Sequence, residues 1–201
     1  NIESIKYSDK NFKINQQFEI NIAKWNLLEG SSGSGKTSIL NSLINQRTFY
    51  GKISVDGEEI SSLQDLFSVQ YVPQQVFPIH GSLWDNIVMG RNVDEQNVES
   101  IIKGLELDAI ATKAVEMKQR SVIELVGNIS GGQLQKIAIA RALLSKADIF
   151  IFDESFSGID AKSKNRCIEF IKRYKPVSTF IVVSHDVILR KFIDNVIKIK
   201  L

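Results

Sequence analysis

Residues 30–37 read GSSGSGKT and follow the apolar run WNLLE at 25–29. Three glycines among eight residues let a backbone wrap tightly enough for several N–H groups to converge on one point. Lys36 brings a cation to that point, and Thr37 a hydroxyl that can ligate Mg²⁺. Behind the loop, Leu40, Leu43 and Ile44 recur at helical spacing, so the loop opens a helix whose positive end faces the same way. Strand, glycine loop, lysine and helix together make the P-loop pattern. There the backbone cradles phosphate oxygens while the lysine reaches the β- and γ-phosphates.

Outward from this loop, the chain alternates strand-like and helix-like runs. Phe18, Ile20 and Ile22 alternate on one face of a strand, GKISVDGEEI reads as a strand and turn punctuated by Gly51 and Gly57, and SVQYVPQQ as a strand broken by Pro73. From about Ser82 to Arg120 the pattern turns helical and more polar. ADIFIFDE and STFIVVSHD are short, continuous apolar runs ending in polar residues, with GIDAKSKNRCIEFIKRY between them. That arrangement predicts two buried parallel strands and a crossover helix, hence an α/β domain with a largely parallel sheet.

Two strand ends carry candidate chemistry. Asp153 and Glu154 leave an apolar strand together, and neighbouring strand residues point to opposite sides, so they are expected to do different work. Asp153 is expected to hold the Mg²⁺ hydration shell, and Glu154 to orient and deprotonate an attacking water. His185 follows the strand FIVVS, where a γ-phosphate contact is the functional reading; His80 has no such setting. Gln74 and Gln75 follow another strand, and spacing alone does not choose between their carbonyl oxygens. The segment SGGQ at 130–133 is an S-x-x-Q capping box, with Ser130 and Gln133 satisfying each other's backbone and Leu134, Ile137 and Ala138 forming an apolar face. Capping leaves Gly131 and Gly132 unexplained, and close backbone approach to a ligand accounts for them. Asp160 is placed to cap the helix that follows it.

Composition narrows the class. The 201 residues suffice for one sizeable core, 43% are hydrophobic and 24% charged. A net charge of +2, from 25 basic and 23 acidic side chains, gives no reason to expect nucleic acid as the main partner, since binding duplex normally needs a concentrated basic face. The single cysteine, Cys167, excludes an internal disulfide and fits a reducing compartment. No apolar run is long enough to span a bilayer. A start at Asn1 rather than Met suggests a domain excised from a longer polypeptide.

Taken in order, the P-loop, glutamine loop, ISGGQ, IFIFDE, SGID and SHD resemble the nucleotide-binding domain of ATP-binding cassette (ABC) transporters, from about Tyr7 to His185. The resemblance implies a P-loop NTPase core with a largely parallel sheet, an N-terminal antiparallel β subdomain and a helical insertion. It implies one domain over 1–201, with its core at 1–79 and 136–201 and a helical subdomain at about 80–135. ATP and Mg²⁺ are the implied ligands. Gly30, Ser31, Ser32, Gly33, Ser34, Gly35, Lys36, Thr37 and Ser38 would hold ATP, with Tyr7 stacking on adenine and Phe12 as the rival aromatic. The glycine usual before the P-loop strand is missing near Lys24 and Trp25. The ungapped match of VPQQVFPIHGSLWDNI to the family's stretch selects Gln74 for the glutamine loop, so Thr37, Gln74 and Asp153 would serve Mg²⁺. Glu154 resembles the catalytic glutamate and His185 the switch histidine, joined in catalysis by Gln74 and Lys36.

ISGGQ resembles the family signature with Ile129 in place of leucine, so Ser130, Gly131, Gly132 and Gln133 would contact ATP held by a partner nucleotide-binding domain, in a homodimer or a heterodimer, and Asp160 would lie at the dimer seam. SLWDNI and Glu124 are exporter-like, which implies a transmembrane domain in the same polypeptide and a place at the cytoplasmic face of a membrane. Phe77, Pro78, Ile79 and Trp84 are candidate docking residues for that domain, their alternative being the core. A DNA-maintenance ATPase of the same superfamily is an alternative, but such proteins insert long coiled coils where only a short lobe fits between Thr37 and Ser130. The other alternative is a non-catalytic nucleotide-gated regulatory domain, of a kind that tends to lose residues such as Glu154 and His185. No nucleic-acid partner is expected, and peptide or bacteriocin cargo is a guess.

Overall fold

The computed structural model describes residues 4–9, 16–48, 51–108, 110 and 129–199. They fall into two compact units. One is drawn from Asn1–Tyr71, Ala147–Glu154 and Val177–Leu201, the other from Val72–Lys146 and Ser155–Pro176.

The first unit holds two sheets. Strands β1 (Ser4–Asp9), β2 (Gln16–Asn21), β4 (Gly51–Val55) and β5 (Glu58–Ile60) form a four-stranded sheet in the order β2-β1-β4-β5. Its neighbouring strands pair antiparallel, and the tight β4–β5 turn puts Asp56 at φ 50° and Gly57 at φ 91°. The second sheet runs β6-β7-β8-β3-β9, built from β3 (Trp25–Glu29), β6 (Val69–Val72), β7 (Ile149–Asp153), β8 (Thr179–Val183) and β9 (Asn195–Lys198). β3 pairs in parallel with β8 and β9, and β7 in parallel with β8, as the two apolar runs predict. The central strands β3, β7 and β8 are buried on both faces, which is why they read as continuous apolar runs.

Alternation along β7 sorts the faces. Ile149 and Ile151 join Leu28, Ile181 and Val183 in one core, where helix α1 (Lys36–Leu43) packs Ile39, Leu40 and Leu43. Phe150 and Phe152 point the other way with Trp25 and Phe180, whose rings stack at 4.4 Å between centroids. Asp153 continues the α1 side of this alternation. Before β3, where the usual glycine is missing, Ala23 takes the left-handed turn at φ 55°. Its N–H donates to Thr179 Oγ1, and buried Asn26 donates to the carbonyls of Asn21, Lys24 and Phe180, which offsets the cost of that conformation.

The second unit contains α2 (Leu83–Val88), α3 (Glu95–Gly104), α4 (Gly131–Leu143) and α5 (Ala161–Tyr174). Helix α4 is buried over most of its surface, with Ile137, Ile139, Ala140, Ala142 and Leu143 in its apolar part and α2 and α3 packed against it. Arg141 reaches out of it to donate to Asn86 and to the Phe77 carbonyl. Phe77 is 73% exposed, Trp84 38% and Ile79 37%, so this stretch is surface rather than core. The α5 crossover helix clusters with this unit. No described helix is long and apolar enough to cross a membrane.

Candidate functional site

The loop between β3 and α1 is shaped by its glycines. Gly33 (φ 78°) and Gly35 (φ 87°) are left-handed, where a side chain would strain the backbone. A Cβ on Gly30 would lie 2.6 Å from Ser34 Oγ and 2.8 Å from the Ile199 carbonyl oxygen. Ser34 N–H donates to the Ser31 carbonyl at 3.1 Å, closing the turn, while Ser31 and Ser32 are exposed. Helices α2, α3, α4 and α5 are each capped by their own Ser82, Asp94, Ser130 or Asp160. By contrast α1 begins at Gly35 with no side-chain cap and no acid in its first turn, which leaves its amino end open to an anion. Lys36 is 7% exposed and its ammonium donates to the carbonyls of Gly30 (2.8 Å) and Ser31 (2.9 Å). Ser34 Oγ is buried without a hydrogen-bond partner, as expected of a cradle lined for a polar ligand. The Ser38 hydroxyl accepts from Arg47 at 2.7 Å.

Asp153 ends β7 beside this loop, and its Oδ2 accepts from Thr37 Oγ1 at 3.0 Å. Tyr71, on β6, donates to the same oxygen at 3.0 Å. Nothing in the sequence pattern singles out this tyrosine, because its partner lies 82 residues away. Glu154 follows in a left-handed conformation at φ 52°, its N–H donating to the Val183 carbonyl at 3.0 Å. The turn takes its carboxyl out of the strand's alternation, and burial raises its pKa. His185 and Lys36 oppose that rise, and the charge of Asp153 adds to it. His185 Nε2 lies 3.6 Å from Glu154 Oε1. Asp153 and Thr37 offer hard oxygen donors suited to Mg²⁺. The described residues hold no cluster of three or more His, Cys, Asp or Glu placed to hold a metal ion.

Tyr7 lies on β1, its backbone paired opposite Phe18 and Ile53. Its side chain lies outside the described structure, as do Phe12 and Glu124.

In the second unit, Gln74 and Gln75 are both exposed beyond β6, and Ser155 Oγ donates to the Val72 carbonyl at 3.0 Å. The capping box forms as the sequence predicts: Ser130 Oγ accepts from Gln133 N–H at 3.2 Å, and Ser130 N–H donates to Gln133 Oε1 at 2.9 Å. Asp160 caps α5 by accepting from Lys162 and Ser163 N–H. The two signature glycines part company. A Cβ on Gly131 would meet nothing within 4 Å, whereas one on Gly132 would lie 2.3 Å from the Gly158 carbonyl oxygen. Internal packing therefore requires Gly132, a reason that the sequence reading, which assigned both glycines to ligand approach, did not supply. Gln135 strengthens the same contact, donating to Ser157 Oγ at 3.0 Å and accepting from Gly158 N–H at 2.8 Å.

A parallel sheet feeding a glycine loop, an uncapped helix end, a buried lysine and an aspartate bonded to the loop threonine define a P-loop nucleotide-binding fold. Residues 14–157 match the family model for the ABC transporter, and the chain belongs to that family, whose ATP-binding domains are ATPases. It is 32% identical over 179 residues to mesentericin-Y105 transport/processing ATP-binding protein MesD of Leuconostoc mesenteroides, covering 85% of this chain and 24% of that protein. It is 29% identical over 193 residues to ABC transporter C family member 12 of Dictyostelium discoideum, covering 92% of this chain and 14% of that protein. The chain thus spans about a third or less of the curated relatives it matches. A bacterial Atm1-family ABC exporter solved with ATP bound shares the fold, with a TM-score of 0.84, 23% identity, and coverage of 100% of this chain and 37% of that one.

Proposed function

We propose that residues 1–201 form a single ATP-binding and ATP-hydrolysing domain that drives an exporter-type transporter, with its core at 1–79 and 136–201 and a helical portion at about 80–135. The observation that carries this reading is the uncapped end of α1, ringed by a glycine loop and Lys36 and bordered by the Asp153–Glu154 pair. Loop N–H groups from Gly30 to Ser38 hold the phosphates, and Lys36 leaves its two loop carbonyls to reach them. Tyr7 stacks on adenine. Thr37, Asp153 and Gln74 serve Mg²⁺, which when bound neutralises charge on the phosphate oxygens.

Glu154 orients and deprotonates the attacking water, and its raised proton affinity suits it to act as a base. His185, beside it, holds the γ-phosphate end in line. Ser130, Gly131 and the α4 amino end close over ATP held by a second copy, with Asp160 at the seam. The lack of any neighbour for a Cβ on Gly131 supports this part. Exposed Phe77, Ile79 and Trp84 dock a transmembrane domain at the cytoplasmic face of its membrane. The transport and processing role in the name of the MesD relative supports the exporter type.

Glu154→Gln is expected to keep ATP affinity while turnover falls by about 10²–10⁴, the range for loss of a general base. Calorimetry and a phosphate-release assay measure the two quantities. Turnover near that of the wild type would overturn the assignment.

A further inference from the structure

The Asp153 carboxylate has a contact that the proposed chemistry does not use. Thr37 and Tyr71 donate to one and the same oxygen, Oδ2, each at 3.0 Å. The tyrosine is well anchored for this. It lies on β6, the strand next to β7, and its ring packs against the apolar core that also holds Ile151 and Val183.

A threonine hydroxyl at the mouth of a phosphate loop has two calls on it, the aspartate and an arriving cation. A phenol fixed on the neighbouring strand has one. The tyrosine donor keeps its bond to the carboxylate when the threonine hydroxyl turns toward a cation.

We infer that Tyr71 is a positioning residue, whose bond to Asp153 Oδ2 holds the carboxylate ready for a divalent cation and so raises the preference of the site for Mg²⁺-bound over metal-free ATP. This inference rests on the nucleotide reading above. Tyr71→Phe keeps the ring and removes only the donor, which makes it the informative change.

The test is calorimetric titration of the full chain with Mg²⁺·ATP and, separately, with ATP in excess EDTA, for wild type, Tyr71→Phe and Lys36→Ala. Tyr71→Phe is expected to weaken Mg²⁺·ATP binding by about 3- to 10-fold, the net worth of one ordinary hydrogen bond, and to change metal-free binding by less than about 2-fold. In an Asp153→Asn background, the same change is expected to leave the Mg²⁺ dependence where that background sets it. Equal Mg²⁺·ATP affinity in wild type and Tyr71→Phe, or equal weakening with and without Mg²⁺, overturns the inference while Lys36→Ala still reports on the nucleotide site. An undiminished Tyr71→Phe effect in the Asp153→Asn background overturns it too. Wild-type chain that binds neither form of ATP overturns the nucleotide reading, and this inference with it.

Discussion

Cys167 shows how much a single side chain owes to its surroundings. It lies on the inner face of α5 at 0% exposure, its thiol 3.8 Å from the Leu105 carbonyl, and burial pushes its pKa up to about 11. The fold thus favours the neutral thiol, a contribution present in full below about pH 9 and lost progressively as pH rises from there through about 11. At pH 8 roughly one thiol in a thousand is ionised, against roughly one in four for an exposed cysteine. A chromogenic disulfide reagent at pH 8 should therefore react at least about 100-fold more slowly with the native chain than with the chain in denaturant. Equal rates would mean that α5 does not cover this position. Residues of the loop were legible from sequence because Lys36 and Thr37 work at fixed spacing from the glycines. Tyr71 was not, because its role comes from a neighbouring strand brought beside β7 by the fold.

At the scale of elements, the start of α4 holds a contrast that stability measurements can read. Adding a methyl group at Gly132 drives it against the Gly158 backbone, a neighbour that cannot simply swing aside. Gly132→Ala should cost about 1–3 kcal/mol, and at about 2–4 °C per kcal/mol the melting temperature should fall by roughly 2–12 °C. Gly131→Ala has open space and should shift it by less than about 2 °C. Scanning calorimetry of the two variants makes the comparison, and equal shifts would refute it. The capping box itself was readable, since Ser130 and Gln133 lie one turn apart. The need for glycine at 132 was not, since the obstacle comes from Gly158, in the turn before α5.

For the whole molecule, the sequence disclosed the strand–helix–strand unit β7-α5-β8 because two apolar runs flank an amphipathic one. It did not disclose that β3 inserts between β8 and β9, a result of pairings such as Leu27 with Val182 and with Val196. Periodicity carries no record of partners more than 150 residues away. The proposed assembly is likewise a property of two chains. In a Glu154→Gln background, ATP should convert the chain to a dimer in sedimentation. Adding Ser130→Arg should weaken that association by about 10-fold or more, by placing bulk and charge where the second nucleotide would lie. A dimer of undiminished affinity in the double variant would remove Ser130 from the seam.

The left-handed backbone at Glu154 carries a consequence for protein engineering. A non-glycine residue at φ 52° costs on the order of 1 kcal/mol, and glycine or asparagine relieves it. A library randomised at this codon and sorted only for heat resistance would drift toward those two residues and discard the carboxylate proposed as the base. Robustness and turnover are set against each other at one torsion angle. Sorting must therefore demand phosphate release in every round, or the hardiest clones recovered will be inert.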